Sequence, residues 1–136
     1  AFRREAARHD VDVRLHYGDF TEKSGYRVAQ SIVESGVLPE AVFCANDQMA
    51  IGFIKAMREA HLRVPEDIAV VGFDDILIAA YMQPSLSTIG ASRTEWGATA
   101  AQVLIRFLEN DRSFPKPFRI STRLIERESS KVRHLE

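Results

Sequence analysis

Val64-Pro65-Glu66-Asp67-Ile68-Ala69-Val70-Val71-Gly72-Phe73-Asp74-Asp75 is the stretch that decides how this chain is read. A proline and two acids make a turn, an apolar run follows without interruption, and two carboxylates end it. A short apolar run bounded by turn signals reads as a strand buried on both faces, as in a parallel sheet. Ligands of open α/β sheets bind beyond the carboxyl ends of such strands. Asp74 and Asp75 therefore stand where a binding site is expected.

Working toward the N-terminus, residues 41–45 form a second apolar run. Asn46 or Asp47 then caps a helix whose core face is Met49, Ala50, Phe53, Ile54 and Met57. Val28, Ala29, Ile32 and Val33 recur at helical spacing, with Thr21 or Ser24 as the start signal and Gly36 as the stop. Val11, Val13 and Leu15 alternate with polar residues, which predicts a strand aimed at Tyr17-Gly18-Asp19-Phe20. Residues 1–9 read as a short charged helix. The order helix, strand, helix, strand, helix, strand predicts an α/β fold: a three-layer, Rossmann-like parallel sheet with right-handed crossovers.

The pattern changes after Asp75. Residues 76–85 read as a loop containing Pro84 and one short helical turn, and residues 86–89 as a short strand. Ser92 and Glu95 have capping-box spacing. Trp96, Ala100, Val103, Leu104, Phe107 and Leu108 predict an amphipathic helix. Residues 110–117 are rich in turn formers, residues 118–125 read as a final strand, and the end is polar. No internal repeat is present.

Bulk composition narrows the classes. The chain has 136 residues, about one domain. Its apolar fraction of 46% and charged fraction of 27% are those of an ordinary globular protein. A net charge of −1 supplies no basic excess for gripping a phosphate backbone, so the chain by itself is expected to bind nucleic acid poorly. Cys44 is the one cysteine, which excludes an internal disulfide and fits a reducing compartment such as the cytoplasm. No apolar stretch is long enough to cross a membrane. The first residues, Ala1-Phe2-Arg3, read as mid-helix, so the chain is expected to be a piece of a longer protein; Leu135-Glu136 are set aside from fold reasoning.

Phe20, Asn46 and Asp74 follow three predicted strands, and in a parallel sheet those ends share one edge. An aromatic face stacks on a sugar ring or a base; an amide and a carboxylate pair with hydroxyls. Each also has a plainer role, Phe20 in the core, Asn46 as an N-cap and Asp74 as a turn cap. The set contains no nucleophile and no activated base. An Asp74–Asp75 pair holding magnesium or accepting a phosphoryl group would need a lysine and a hydroxyl at other strand ends, and neither is placed. His9, His16, His61 and His134 lack metal-ligand spacing. No cofactor and no catalysis are expected.

The motifs 41–52, 62–68 and 71–75, with Pro84-Ser85-Leu86-Ser87-Thr88-Ile89, Gly97 and Leu124-Ile125-Glu126-Arg127-Glu128-Ser129, resemble the lactose/galactose repressor family in sequence and order. The resemblance covers almost the whole chain and implies one lobe of a periplasmic-binding-protein-like domain. Residues 1–89 would be the second lobe without its first strand, 90–117 a crossover and helix of the first-lobe region, 118–130 a returning strand and 131–136 a tail. Phe20 falls at the aromatic that stacks on effector, Asn46 at an effector-contacting asparagine, and Asp74 at the hydrogen-bonding carboxylate. Arg93 lies at a crossover position that can face the cleft, although its identity does not match the family. Asp75 is expected to shape the loop that follows.

The resemblance implies a cytoplasmic regulator that binds a small-molecule effector, a sugar or a purine-like compound. It implies a homodimer built through the helix starting at Asp47 and the loop 76–82, with operator DNA reached only through a headpiece absent from this sequence. A solute-binding protein of a sugar transport system is the alternative, and a phosphotransfer or hydrolase domain a third. Within the family the helix at 93–109 packs in the first lobe, so its apolar face is expected to be covered here by pairing or rearrangement.

Overall fold

The computed structural model describes residues 2–109 and 120–131. Four strands form one sheet in the order β1 (Ala41–Phe43), β2 (Ala69–Phe73), β3 (Ser87–Ala91) and β4 (Thr122–Ile125). The first three are parallel and β4 runs antiparallel to β3. Helices α1 (Phe2–Ala6), α2 (Glu22–Ser35), α3 (Asp47–Glu59) and α4 (Arg93–Leu108) complete the regular structure, with short 3-10 turns at Ala7–His9, Leu77–Ala80 and Glu128–Ser130. This is the mixed α/β class with a mostly parallel sheet that the alternation predicts.

The 64–75 run forms a strand, but not the one buried on both faces that its apolar run predicts. Val70 and Gly72 are buried while Ala69, Val71 and Phe73 are half-buried, so the strand is more covered on one face than on the other. On the covered face lies α3, whose Ala50, Phe53, Ile54 and Met57 join Ile68, Val70 and Leu86 in the core. Met49 of the predicted stripe is only partly buried. Full burial of a side chain such as Phe53, Met57 or Ile68 contributes roughly 1.5–3 kcal/mol. On the opposite face Phe2 of α1 stacks on Phe43, ring centroids 5.3 Å apart.

Helices α2 and α3 make the largest contact between elements. They meet at two glycines. A Cβ on Gly25 would collide with the Met49 carbonyl, and one on Gly52 with the Glu22 carbonyl. The two backbones touch, which only hydrogen side chains permit. The caps follow the sequence. Thr21 accepts from the Ser24 amide at 3.2 Å, Gly36 closes α2 in the left-handed region at φ 68°, and Ser92 accepts from the Glu95 amide at 3.2 Å.

Two expectations need correction. The alternating stretch at Val11, Val13 and Leu15 is not a strand: residues 11–19 carry no regular structure. A strand exists by pairing, and this stretch joins no ladder; Val11 and Leu15 stand half-exposed. The short strand predicted at 86–89 is Ser87–Ala91, displaced because β3 takes its register from β2, Val71 opposite Ser87 and Phe73 opposite Ile89. Within the final strand predicted over 118–125, the ladder covers Thr122–Ile125. Residues 118–119 and the link 110–117 lie outside the described residues.

Candidate functional site

The sheet's carboxyl edge brings Asn46 and Asp74 to one level. Phe43 of β1 pairs in register with Val71 of β2. Asn46 and Asp74 each follow that pair by the same interval, so the parallel register sets them side by side along the chain direction. Asn46 is the N-cap of α3. Its side-chain oxygen accepts from the Met49 amide at 2.9 Å, and its amide nitrogen donates to the Phe20 carbonyl at 2.9 Å. Both the N-cap role and the link to Phe20 therefore hold at once. The Phe20 side chain is 61% exposed, so it is not a core aromatic.

The loop carrying Phe20 is tightly tied. The Thr21 amide and hydroxyl both donate to the Asp19 carboxylate, and the Ser24 hydroxyl accepts from the Asp19 amide. Those donors hold the Asp19 carboxyl down at about 2. Phe20 itself takes the left-handed conformation, φ 66°, and points outward from a turn rather than from the end of a strand. A shallow hollow beside this loop is lined by Tyr17, Gly18, Asp19, Ser24, Arg27 and Val28. None of Phe20, Asn46 and Asp74 lines it.

Asp74 is exposed, and both it and Asp75 have positive φ, 112° and 49°. Non-glycine residues in such conformations cost of order 1–3 kcal/mol each and persist only where the surroundings over-determine them. Here they do. The Asp74 amide donates to the Ile89 carbonyl at 2.9 Å, the Asp75 amide to the Thr88 hydroxyl at 3.3 Å, and the Ile76 amide to the Asp47 carboxylate at 2.9 Å. Arg93, at the start of α4, donates to the Asp75 carbonyl at 2.8 Å. Arg127 reaches the Asp75 carboxylate at 2.7 Å while its other nitrogen donates to the Leu86 carbonyl at 2.8 Å. Asp75 is thus structural, as expected, and Arg93 sits one residue from Asp74.

Asp47 and Thr88 lie beneath this turn, fully buried. The Thr88 hydroxyl donates to the Asp47 carboxylate at 2.6 Å. Burial pushes the Asp47 carboxyl up, the bonds from Thr88 and Ile76 pull it down, and the charges of Asp74 and Asp75 push it up again. A Cβ at position 72 would strike the Asp47 carboxylate, so Gly72 makes the room for it. A second buried set joins the C-terminal segment to the sheet: Ser129 donates to the Val70 carbonyl at 2.6 Å and accepts from the Ser87 amide at 2.8 Å. Sequence reasoning missed Thr88, Arg127 and the role of Asp47. Two hydroxyls inside a short apolar strand, Ser87 and Thr88, were the available signal, because buried polar groups need partners. No group of metal ligands occurs among the described residues.

A family model described as periplasmic binding protein-like domain matches residues 1–130. The chain belongs to that family, in the form carried by regulators of the LacI type. Among curated relatives, the HTH-type transcriptional repressor PurR of Escherichia fergusonii is 43% identical over 112 residues, covering 82% of this chain and 33% of the repressor. The chain thus spans about a third of that relative's length. A sugar-binding transcriptional regulator of the LacI family from Enterococcus faecalis is 37% identical with a TM-score of 0.84, over 96% of this chain and 48% of that one. The lac repressor dimer bound to operator and the anti-inducer ONPF superposes with a TM-score of 0.89 at 27% identity, over 96% and 46% of the two chains. A LacI family regulator from Enterococcus faecium with bound ribose gives 0.82 at 25% identity, over 95% and 48%.

Proposed function

We propose that this chain is the larger part of the second lobe of an effector-binding domain in a bacterial DNA-binding transcriptional regulator. It binds a small molecule without turning it over. The observation that supports this reading is an exposed aromatic, Phe20, tied through its carbonyl to the buried amide of Asn46, whose place beyond β1 matches that of the exposed Asp74 beyond β2. Phe20 stacks on the effector ring, Asp74 accepts from its hydroxyl or N–H groups, Asn46 offers its second amide hydrogen, and Arg93 flanks Asp74. A sugar or sugar derivative is the preferred effector and a purine base the next, since both present a flat face and a polar edge.

Effector binding in the intact regulator changes the relation of the two lobes and, through a homodimer, operator affinity. That is a coupling free energy between two sites. The regulator works in the cytoplasm; no helix among the described residues is long and apolar enough to cross a membrane. The named relatives are repressors and regulators, which favours this reading over a transport protein.

The test is calorimetric titration of the intact regulator with D-ribose, cellobiose and free purine bases. One class binds, and Asp74→Asn weakens it roughly ten- to hundredfold, the worth of one hydrogen bond to a charged group. Binding unchanged by both Asp74→Asn and Phe20→Ala would overturn the assignment.

A further inference from the structure

Asp47 touches no solvent, yet both its oxygens are committed to the strained turn that presents Asp74. One accepts from the Ile76 amide at 2.9 Å. The other accepts from the Thr88 hydroxyl at 2.6 Å, and Thr88 in turn accepts from the Asp75 amide at 3.3 Å. Two successive amides of the left-handed turn are thus held by one carboxylate, directly and through one hydroxyl. Such a carboxylate is held in place itself: it opens α3, where the helix dipole favours negative charge, and Gly72 leaves the space it fills. Asn46, the residue before it, holds the Phe20 carbonyl.

We propose that Asp47 is a positioning residue of the binding site: with Thr88 it holds the amides of Asp75 and Ile76, and with them the left-handed backbone of Asp74 and Asp75, and so aims the Asp74 carboxylate, while Asn46 fixes Phe20 from the same helix start. The first two residues at the head of α3 thereby set the distance between aromatic and acid, which makes them determinants of ligand size although Asp47 touches no ligand. This rests on the reading of Asp74 as the effector-contacting acid, but its mechanical half does not.

Hydrogen exchange and binding test the two halves separately. In Thr88→Val and Asp47→Asn, exchange of a peptide spanning 74–80 accelerates about tenfold, as expected for losing one hydrogen-bond anchor. A peptide from α2 stays near wild type, the denaturation midpoint falls only by what the lost bond accounts for, and Thr88→Ser, which keeps the hydroxyl, behaves as wild type. Unchanged exchange at 74–80, or acceleration spread evenly over the chain, overturns the proposal. For whichever of D-ribose, cellobiose or a purine base binds, Thr88→Val weakens affinity about tenfold but adds little in the Asp74→Asn background, because both changes remove the same contact. Additive losses overturn the positioning role. If none of these compounds binds the wild type, the functional reading fails and the exchange arm still decides whether Asp47 holds the turn.

Discussion

At the residue scale, environment decides which polar groups are active and which are inert. Cys44 is buried at the end of β1, and burial, helped by the Asp47 charge, pushes its thiol up to about 12. The thiolate is the reactive form, so Cys44 is expected to resist a thiol-specific disulfide reagent until denaturant unfolds the chain. Modification at native-like rates of an exposed thiol would contradict the burial. Asp67 is the reverse case. Arg63 bonds it through side chain and backbone and holds its carboxyl at about 2, from an ordinary 3.8. Asp19 is held at about 2 by Thr21 and Ser24. A carboxyl depressed in the fold favours the folded state above its ordinary pKa and loses that contribution as pH falls toward the lowered one. Stability is therefore expected to decline between pH 4 and pH 2, and Asp67→Asn with Asp19→Asn to flatten that slope in acid titrations followed by circular dichroism. Neither acid stands out in the sequence, because partners such as Ser24 of Asp19 become neighbours only through the loop's path.

At the scale of elements, helical periodicity and the places of the apolar strands were legible; the depth of strand burial and edge alternation were not. The stripes at 28–33 and 49–57 predict α2 and α3, and the caps Thr21, Asn46 and Ser92 all function. The alternation at 11–15 predicts a strand that does not form, since alternation reports which face a residue would take and not whether a neighbour exists. What brings α2 onto α3 is the glycine pair, and its reciprocal geometry is invisible in one dimension. Gly25→Ala or Gly52→Ala is expected to destabilise the fold by roughly 1–3 kcal/mol through overpacking, measured by urea denaturation. A neutral result for both would show that the helices separate without cost.

At the scale of the molecule, α4 is the longest helix and the most exposed of the three long ones. It carries no buried residue, and Trp96, Phe107 and Leu108 are 51%, 77% and 70% exposed. A further apolar group, Leu77, Ile78 and Tyr81, is exposed on the loop after β2. Contiguous apolar surface of this kind promotes association. The 136-residue chain is therefore expected to self-associate through α4 in sedimentation velocity at high concentration, and the Trp96 emission to shift to the blue as it does. The pair Phe107→Asp and Leu108→Asp would weaken that association without loss of stability, because neither side chain is buried. A concentration-independent monomer would rule out pairing through this face.

The amino-acid order by itself determined the class of fold, the caps of its main helices and the places of Asn46 and Asp74 just beyond two parallel strands. Those follow from local facts: runs of apolar residues, their period, and the turns and caps that interrupt them. Tertiary structure alone decided that residues 11–19 stay out of the sheet, that Asp75 belongs to Arg127 across the fold, and that a buried Asp47 grips the turn behind Asp74. Each of these depends on a partner distant in sequence. A hydrogen bond or a ladder is a property of two segments, and only the folded chain says which two meet.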